Sequence, residues 1–153
     1  MRALERTEVI IERATDATPE VEEAVGRLLP QLSSAPVPGR RELEEMISSP
    51  GVQLLLAWMD GRIRGMLTLV LFRIPSGVRA RIEDVMVDSE ARGAGIGEAL
   101  TRAALHRAAS AGARTADLTS RPLREPANRL YRRVGFELRD TNVYRYEFPA
   151  PGS

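Results

Sequence analysis

Apolar positions along the chain recur at two spacings, and the switches between them mark out the elements. Val9, Ile10 and Ile11 centre a short strand pattern over Glu8 to Arg13. Thr18 followed by Pro19 is a helix start, with a capping hydroxyl and a proline at the first helical position. Val21, Ala24, Val25, Leu28, Leu29 and Leu32 then follow helical spacing. Pro36 and Pro38 mark residues 33–39 as a loop. Leu43, Met46 and Ile47 give one apolar face to a second helix, Arg40 to Ser48, which Pro50-Gly51 ends.

The period then shortens. Val52 to Met59 reads as a strand, Asp60-Gly61 as a tight hairpin turn, and Ile63 to Phe72 as the return strand. A turn at Pro75-Ser-Gly77 leads to a further strand, Val78 to Val87, which makes an antiparallel meander. A glycine-rich turn opens a helix from about Gly95 to Ala111, with Ile96, Ala99, Leu100, Ala103, Ala104 and Ala108 as its stripe and Gly112 as its stop. Thr115 to Thr119 is a short strand that, coming after a helix, is expected to pair parallel to Val78–Val87. The polar loop Ser120 to Glu125 precedes a helix from Pro126 to Val134, closed by Gly135. Phe136 to Arg139 and Val143 to Phe148 are predicted as the last strands, around a turn at Asp140–Asn142. The tail Pro149 to Ser153 is expected to be disordered. The order β-α-α-β-β-β-α-β-α-β-β predicts a single α/β domain over residues 1–153 with an ordered core of about 7–148. Its sheet is mixed, mostly antiparallel and of about seven strands, with helices on both faces.

Composition narrows the chemistry. The 153 residues include no cysteine and one histidine, which excludes disulfides, thiolate nucleophiles, cysteine metal sites and multi-histidine metal sites. Formal net charge is +1, from 22 basic against 21 acidic residues, and aromatics are 5%; neither a basic field nor a stacking platform points to nucleic acid. All the basic side chains are arginine, which reads first as the composition of a GC-rich genome and second as a supply of bidentate phosphate contacts. The opening MRALERTEVIIERATD has charges on both sides of a short apolar run, unlike a signal peptide, and no apolar stretch approaches the ~20 residues of a membrane span. A cytoplasmic protein without a membrane partner is expected.

The candidate chemistry begins at Arg92-Gly93-Ala94-Gly95-Ile96-Gly97, between a strand and a helix start. Glycines let backbone approach a phosphate, and the first helical N–H groups face it at the positive end of the helix dipole. A P-loop requires Lys-Ser or Lys-Thr after its last glycine, but Glu98-Ala99 stands there. A dinucleotide fingerprint requires a third glycine where Glu98 stands, and a parallel unit where the chain has a meander. The pattern that fits is Arg-x-x-Gly-x-Gly, met by Arg92, Gly95 and Gly97.

That pattern after Glu83-Asp-Val-Met-Val87 resembles the acetyl-coenzyme A site of the GNAT superfamily of N-acetyltransferases. Asn128-Arg-Leu-Tyr131-Arg-Arg-Val-Gly135-Phe136 is similar to that superfamily's other hallmark block. The resemblance spans about Glu8 to Phe148 and implies direct transfer of an acetyl group from acetyl-CoA, as co-substrate and without a metal, to a primary amine. It implies that backbone amides of Arg92, Gly93, Ala94, Gly95, Ile96 and Gly97 cradle the pyrophosphate. It further implies that Val85, Met86 and Val87 pair with the pantetheine arm, that Asn128 fixes that arm or a nearby water, and that Tyr131 protonates the leaving thiolate. Tyr131 read on its own is equally a half-buried core tyrosine.

For the base, Glu83 is the first candidate, sharing a face with Val85 and Val87 in a regular strand, though it reads equally as a salt-bridged carboxylate; a bulge would reverse the shared face. Asp84 and a water relay are the alternatives. Arg121 and Arg124 are candidates for holding an anionic group of the acceptor, or are solvated surface charge. His106, more than two turns from the glycine end of its helix, reads as a solvent-facing residue. The acceptor itself is not legible. A non-catalytic acyl-CoA-binding or sensor module on the same fold is the alternative function. Apolar and aromatic residues on both faces of Phe136–Phe148 suggest a homodimer through that end.

Overall fold

The structure, a computed structural model, describes residues 8–151; the expectations for residue 7 and for the last positions of the tail, residues 152–153, lie outside the described residues. Strands β1 (Ile10–Arg13), β2 (Val52–Met59), β3 (Arg62–Ile74), β4 (Gly77–Val87) and β5 (Thr115–Asp117) form a single sheet in the order β1-β2-β3-β4-β5. All neighbours are antiparallel except β4 and β5, which are parallel as expected. The helices are α1 (Pro19–Leu28), α2 (Arg40–Ser48), α3 (Ile96–Ser110) and α4 (Glu125–Val134).

Strand alternation builds two cores. Leu54, Leu56, Ile63, Met66 and Met86 meet α1 and α2 on one face. Leu55, Ala57, Leu67, Leu69, Ala80 and Ile82 meet α3 on the other. Both faces of β2 are therefore covered, which is why its sequence from Leu54 to Met59 is an unbroken apolar run. The Thr18 hydroxyl caps α1 by accepting from Val21 N at 3.2 Å. That helix was expected to reach Leu32 but ends at Leu28. Pro30 has no N–H to continue it, and the chain proceeds as a 3-10 turn over Leu29–Gln31.

β4 departs from regularity at one point. Met66 lies opposite Met86 but Thr68 lies opposite Glu83, so β4 carries an extra residue, and Asp84 adopts φ 46° there. The bulge switches the faces. Ala80 and Ile82 point to the α3 side before it, and Val85 and Val87 point to that side after it. Glu83 consequently shares the face of Met86, not that of Val85 and Val87 as a regular strand requires.

The sheet has five strands among the described residues, against about seven expected from the element order. Phe136–Arg139 and Val143–Phe148 form no ladder: a strand exists only against a partner edge, and this segment leaves its own chain's sheet. No helix among the described residues is long and apolar enough to cross a membrane.

Gly65 in β3 was missed by the sequence reading, although a glycine inside a strand signals close backbone approach. A Cβ there would lie 2.6 Å from Ile96 Cγ2 and 3.0 Å from the Met86 carbonyl oxygen. The first turn of α3 rests on this bare backbone. Gly65→Ala is expected to lower the unfolding free energy by about 1–3 kcal/mol through overpacking. Urea denaturation measures it, and an unchanged midpoint would show that α3 does not depend on this contact.

Candidate active site

The β4 strand, the glycine turn and helix α4 converge on a cavity of about 720 Å³. β5 stays paired to β4 only from Arg79–Thr115 to Arg81–Asp117. Beyond Arg81 the β5-side edge of β4 is open, and Val85, Met86 and Val87 line the cavity there.

The turn itself is built by polar contacts. Asp88 caps a 3-10 turn at Ser89–Ala91, accepting from Glu90 N at 3.1 Å. Gly93 at φ 85° and Gly95 at φ 79° then bend the chain through the left-handed region into α3, a path that side chains bearing a Cβ resist. No N–H from Arg92 through Glu98 donates to another described residue; the first backbone bond of the helix is Ala99 N to Gly95 O at 3.0 Å. A run of free donors at a helix N-terminus is an anion cradle. Arg92, Gly93, Gly95, Ile96 and Gly97 line the cavity, and Ala94 lies within the exposed turn between them.

Tyr131 of α4 lines the same cavity, 7% exposed, and its hydroxyl makes no hydrogen bond to another described residue. Burial pushes its phenol above the ordinary tyrosine range, and the Arg124 charge offsets this only in part. Arg124 also lines the cavity. The remaining sequence candidates stand elsewhere. The Asn128 amide donates to the Arg121 carbonyl at 2.9 Å and the Arg124 carbonyl at 2.8 Å, so it fastens the loop to α4. The Arg121 side chain is exposed and outside the cavity lining. Glu83 and Asp84 sit at the bulge, also outside the lining; Arg81 Nε donates to Glu83. Asp84 reaches solvent, but desolvation by the packed sheet and, secondarily, the Glu83 charge push its carboxyl upward. His106 is solvent-facing, as expected.

A network that the sequence reading missed joins α1 to the turn. Asp88 is 3% exposed; its Oδ2 accepts from Arg27 at 2.6 Å and from Arg64 at 3.2 Å. Arg27 also donates to the Ile63 carbonyl at 2.8 Å, and Gln31 Oε1 accepts from Ser89 N at 3.0 Å. An Asp between a strand end and a 3-10 turn is a capping signal readable in sequence. Its arginine partners, distant along the chain, carry no such signal. Burial alone would raise the Asp88 carboxyl, but the Glu90 N–H and the two guanidiniums outweigh it and hold the group below its ordinary value. A depressed folded value stabilises the fold above the ordinary carboxylate range, and that stability is lost as pH falls through the folded value. Asp88→Asn should therefore cost about 3 kcal/mol at neutral pH, and the gap to the parent should narrow in acid. Urea midpoints at neutral and acid pH test this; an equal gap at both would exclude charge as its source.

The model of the Acetyltransferase (GNAT) family matches residues 20–136. No curated protein matches the chain. Among solved structures, a transcriptional regulator from Bacillus halodurans C-125 is 29% identical, with a TM-score of 0.76 over 92% of this chain and 100% of that one. An aminoglycoside acetyltransferase from an uncultured soil metagenomic sample is 19% identical, with a TM-score of 0.78 over 93% of this chain and 97% of the other. A ribosomal-protein-alanine N-acetyltransferase from Brucella melitensis biovar Abortus 2308 is 20% identical, with a TM-score of 0.75 over 93% of this chain and 100% of the other.

Proposed function

The chain belongs to the GNAT family of acetyltransferases, and on that footing we propose that it transfers an acetyl group from acetyl-CoA to a primary amine. The observation that carries the reading is one cavity combining the free amides of Arg92–Glu98, the open β4 edge at Val85–Val87 and the unengaged Tyr131 hydroxyl. The donor set fits the co-substrate. A pyrophosphate requires concentrated N–H donors, which the turn offers, and Arg92 adds an exposed guanidinium beside them. An amide-bearing arm requires backbone groups to pair with, and a strand edge without a neighbour offers those. Acetyl-CoA supplies the thioester acyl group.

The chain's own residues hold and guide protons around that group. A backbone N–H on the open edge near Val85 is suited to an oxygen that gains negative charge. Tyr131 is suited to protonating the leaving sulfur, because burial keeps its phenol protonated through neutral pH. The incoming ammonium must lose a proton, and the adjacent carboxylates Glu83 and Asp84 at the bulge are its destination through cavity water. At Asp84, desolvation raises the proton affinity of the carboxyl above its ordinary value. The acceptor enters where Leu28, Gln31 and Leu32 form the wall opposite α4, with Arg124 at hand for an anionic group. The solved structures of this fold include enzymes named for an aminoglycoside and for a ribosomal-protein alanine, so the fold alone does not select the amine.

Calorimetric titration with acetyl-CoA is expected to show saturable binding, and release of free thiol in an amine screen is expected to follow. Tyr131→Phe should leave binding in place and reduce kcat by about 10²–10⁴-fold. No binding by the folded protein would sink the reading. Binding without turnover of any amine would leave an acyl-CoA-binding module. Unchanged turnover in Tyr131→Phe would remove the phenol from the chemistry.

A further inference from the structure

Most of the polar side chains that line the cavity are committed within the chain. Glu98 and Arg133 pair at 2.8 Å, and the Arg129 guanidinium lies 3.9 Å from Glu125. The Gln31 amide accepts from Ser89 N at 3.0 Å and donates to the Arg27 carbonyl at 3.3 Å. Three side chains of the lining, Arg92, Arg124 and Tyr131, make no hydrogen bond or ion pair with another described residue. Arg92 stands at the cradle, and Tyr131 is the proposed proton donor. Arg124 is the third.

Helix α4 sets Arg124 apart from the cradle. The C-terminal half of α4 meets the first turn of α3, through the Arg133–Glu98 pair and through Leu130, whose Cδ2 would stand 3.2 Å from a Cβ on Gly97. Arg124 precedes the helix, so about 13 Å of helix axis separates it from Arg133. Arg124, Ala127 and Tyr131, spaced by three and four residues, share one face of α4, and all three line the cavity. Ala127, between the other two, projects only a methyl group. Burial raises the Tyr131 phenol and the Arg124 charge opposes it, so the two groups lie within electrostatic reach of each other. The root of the Arg124 side chain is fixed. Its N–H donates to the Arg121 carbonyl at 3.0 Å, and its carbonyl accepts from Asn128 N at 3.0 Å and from the Asn128 amide at 2.8 Å. The residue itself is exposed and open to a ligand.

A free cation in that place has a chemical consequence. Acetyl-CoA carries its negative charge on phosphates at the nucleotide end, and the arm that leads to the thioester is neutral. With those phosphates on the Arg92–Gly97 amides, the co-substrate has no anion left for a guanidinium beside the proposed proton donor. The wall opposite α4 offers Leu28 and Leu32, which are apolar. We propose, building on the acetyl-transfer reading, that Arg124 determines acceptor specificity by pairing with a carboxylate or phosphate, so that the acceptor is an amine that itself bears an anionic group. The planar guanidinium matches either anion with two parallel hydrogen bonds. Arg121, exposed and outside the lining, takes no part.

Acetyl transfer to matched amines tests this: glycine against glycinamide for the carboxylate, and O-phosphoethanolamine against ethanolamine for the phosphate, with rates compared per unprotonated amine. The anionic member of at least one pair is expected to have the higher kcat/KM, by about 10–10²-fold. Arg124→Met should bring that ratio near one, chiefly through KM, with acetyl-CoA binding retained in calorimetry; Arg121→Met should keep the parent ratio. If neither pair is turned over, nuclear magnetic resonance of the acetyl-CoA-bound protein should show the Arg124 Nε–H shifting with glycine or O-phosphoethanolamine and not with their neutral partners. Equal or greater preference for the neutral amines, a ratio unchanged in Arg124→Met, or no anion-specific shift would overturn the proposal. So would loss of acetyl-CoA binding in Arg124→Met, which would assign the guanidinium to the co-substrate. A parent chain that binds no acetyl-CoA would instead sink the acetyl-transfer reading, and the proposal with it.

Discussion

The extra residue in β4 is the constraint from which the site follows. A strand carries side chains to alternate faces, and an inserted residue reverses the assignment of everything after it. Here the reversal comes between Ile82 and Val85. It sends Met86 into the core beneath α1 and leaves Val85 and Val87 on the α3 side, at the cavity. A bulge also increases local twist and disrupts pairing. β5 accompanies β4 only through Arg81, just short of the bulge, and the freed edge beyond it becomes one wall of the cavity. The energetic cost is visible at Asp84, a non-glycine residue in the left-handed region, where asparagine and aspartate are tolerated better than most.

The glycine turn needs a second kind of support, because free amides do not hold themselves in place. Backbone that must offer its donors to a ligand forgoes the internal hydrogen bonds that would order it. The ordering comes from one side. Asp88, fixed by Arg27 and Arg64, anchors the chain directly before the turn, and Gln31 receives Ser89 N. Across the turn, Glu98 in the first turn of α3 pairs with Arg133 of α4 at 2.8 Å. That second contact is exposed and contributes little stability, but it joins the cradle helix to the helix that carries Tyr131. The Asp88 cluster is buried and mechanically the stronger of the two.

What could be read from sequence divides along the distance over which it is encoded. Helices α2, α3 and α4, the meander and the parallel β5 follow from local periodicity and turn residues, as does the free run at Arg92–Gly97. The Arg27–Asp88–Arg64 cluster spans α1, β3 and the end of β4, and nothing at any of these positions names the others. The bulge was legible only as a possibility: Glu83-Asp-Val-Met-Val87 fits a regular strand equally well. The last strands failed for a different reason. Val143–Phe148 has a strand's alternation, but a pattern states that a segment can pair, not which edge it will find, nor whether that edge belongs to the same chain.

The block from Asn128 to Phe136 illustrates how a motif that reads as chemistry is also a piece of mechanical fastening. The N-cap position of α4, Arg124, supplies no side-chain cap, so the start of the helix is held instead by Asn128 reaching back to the carbonyls of Arg121 and Arg124. At the other end Gly135 takes φ 117°, and both Gly135 N and Phe136 N donate to the Tyr131 carbonyl, at 3.1 and 2.9 Å. That closure brings the Phe136 ring against the edge of Tyr131. Tyr131 is thus restrained through its backbone by the glycine turn of the helix end and through its ring by the phenylalanine, while its hydroxyl stays uncommitted. A proton donor requires such a combination, since a phenol free to rotate would lose the alignment on which transfer depends. Asparagine, glycine and phenylalanine hold that placement, and the tyrosine presents its uncommitted hydroxyl within the cavity lining.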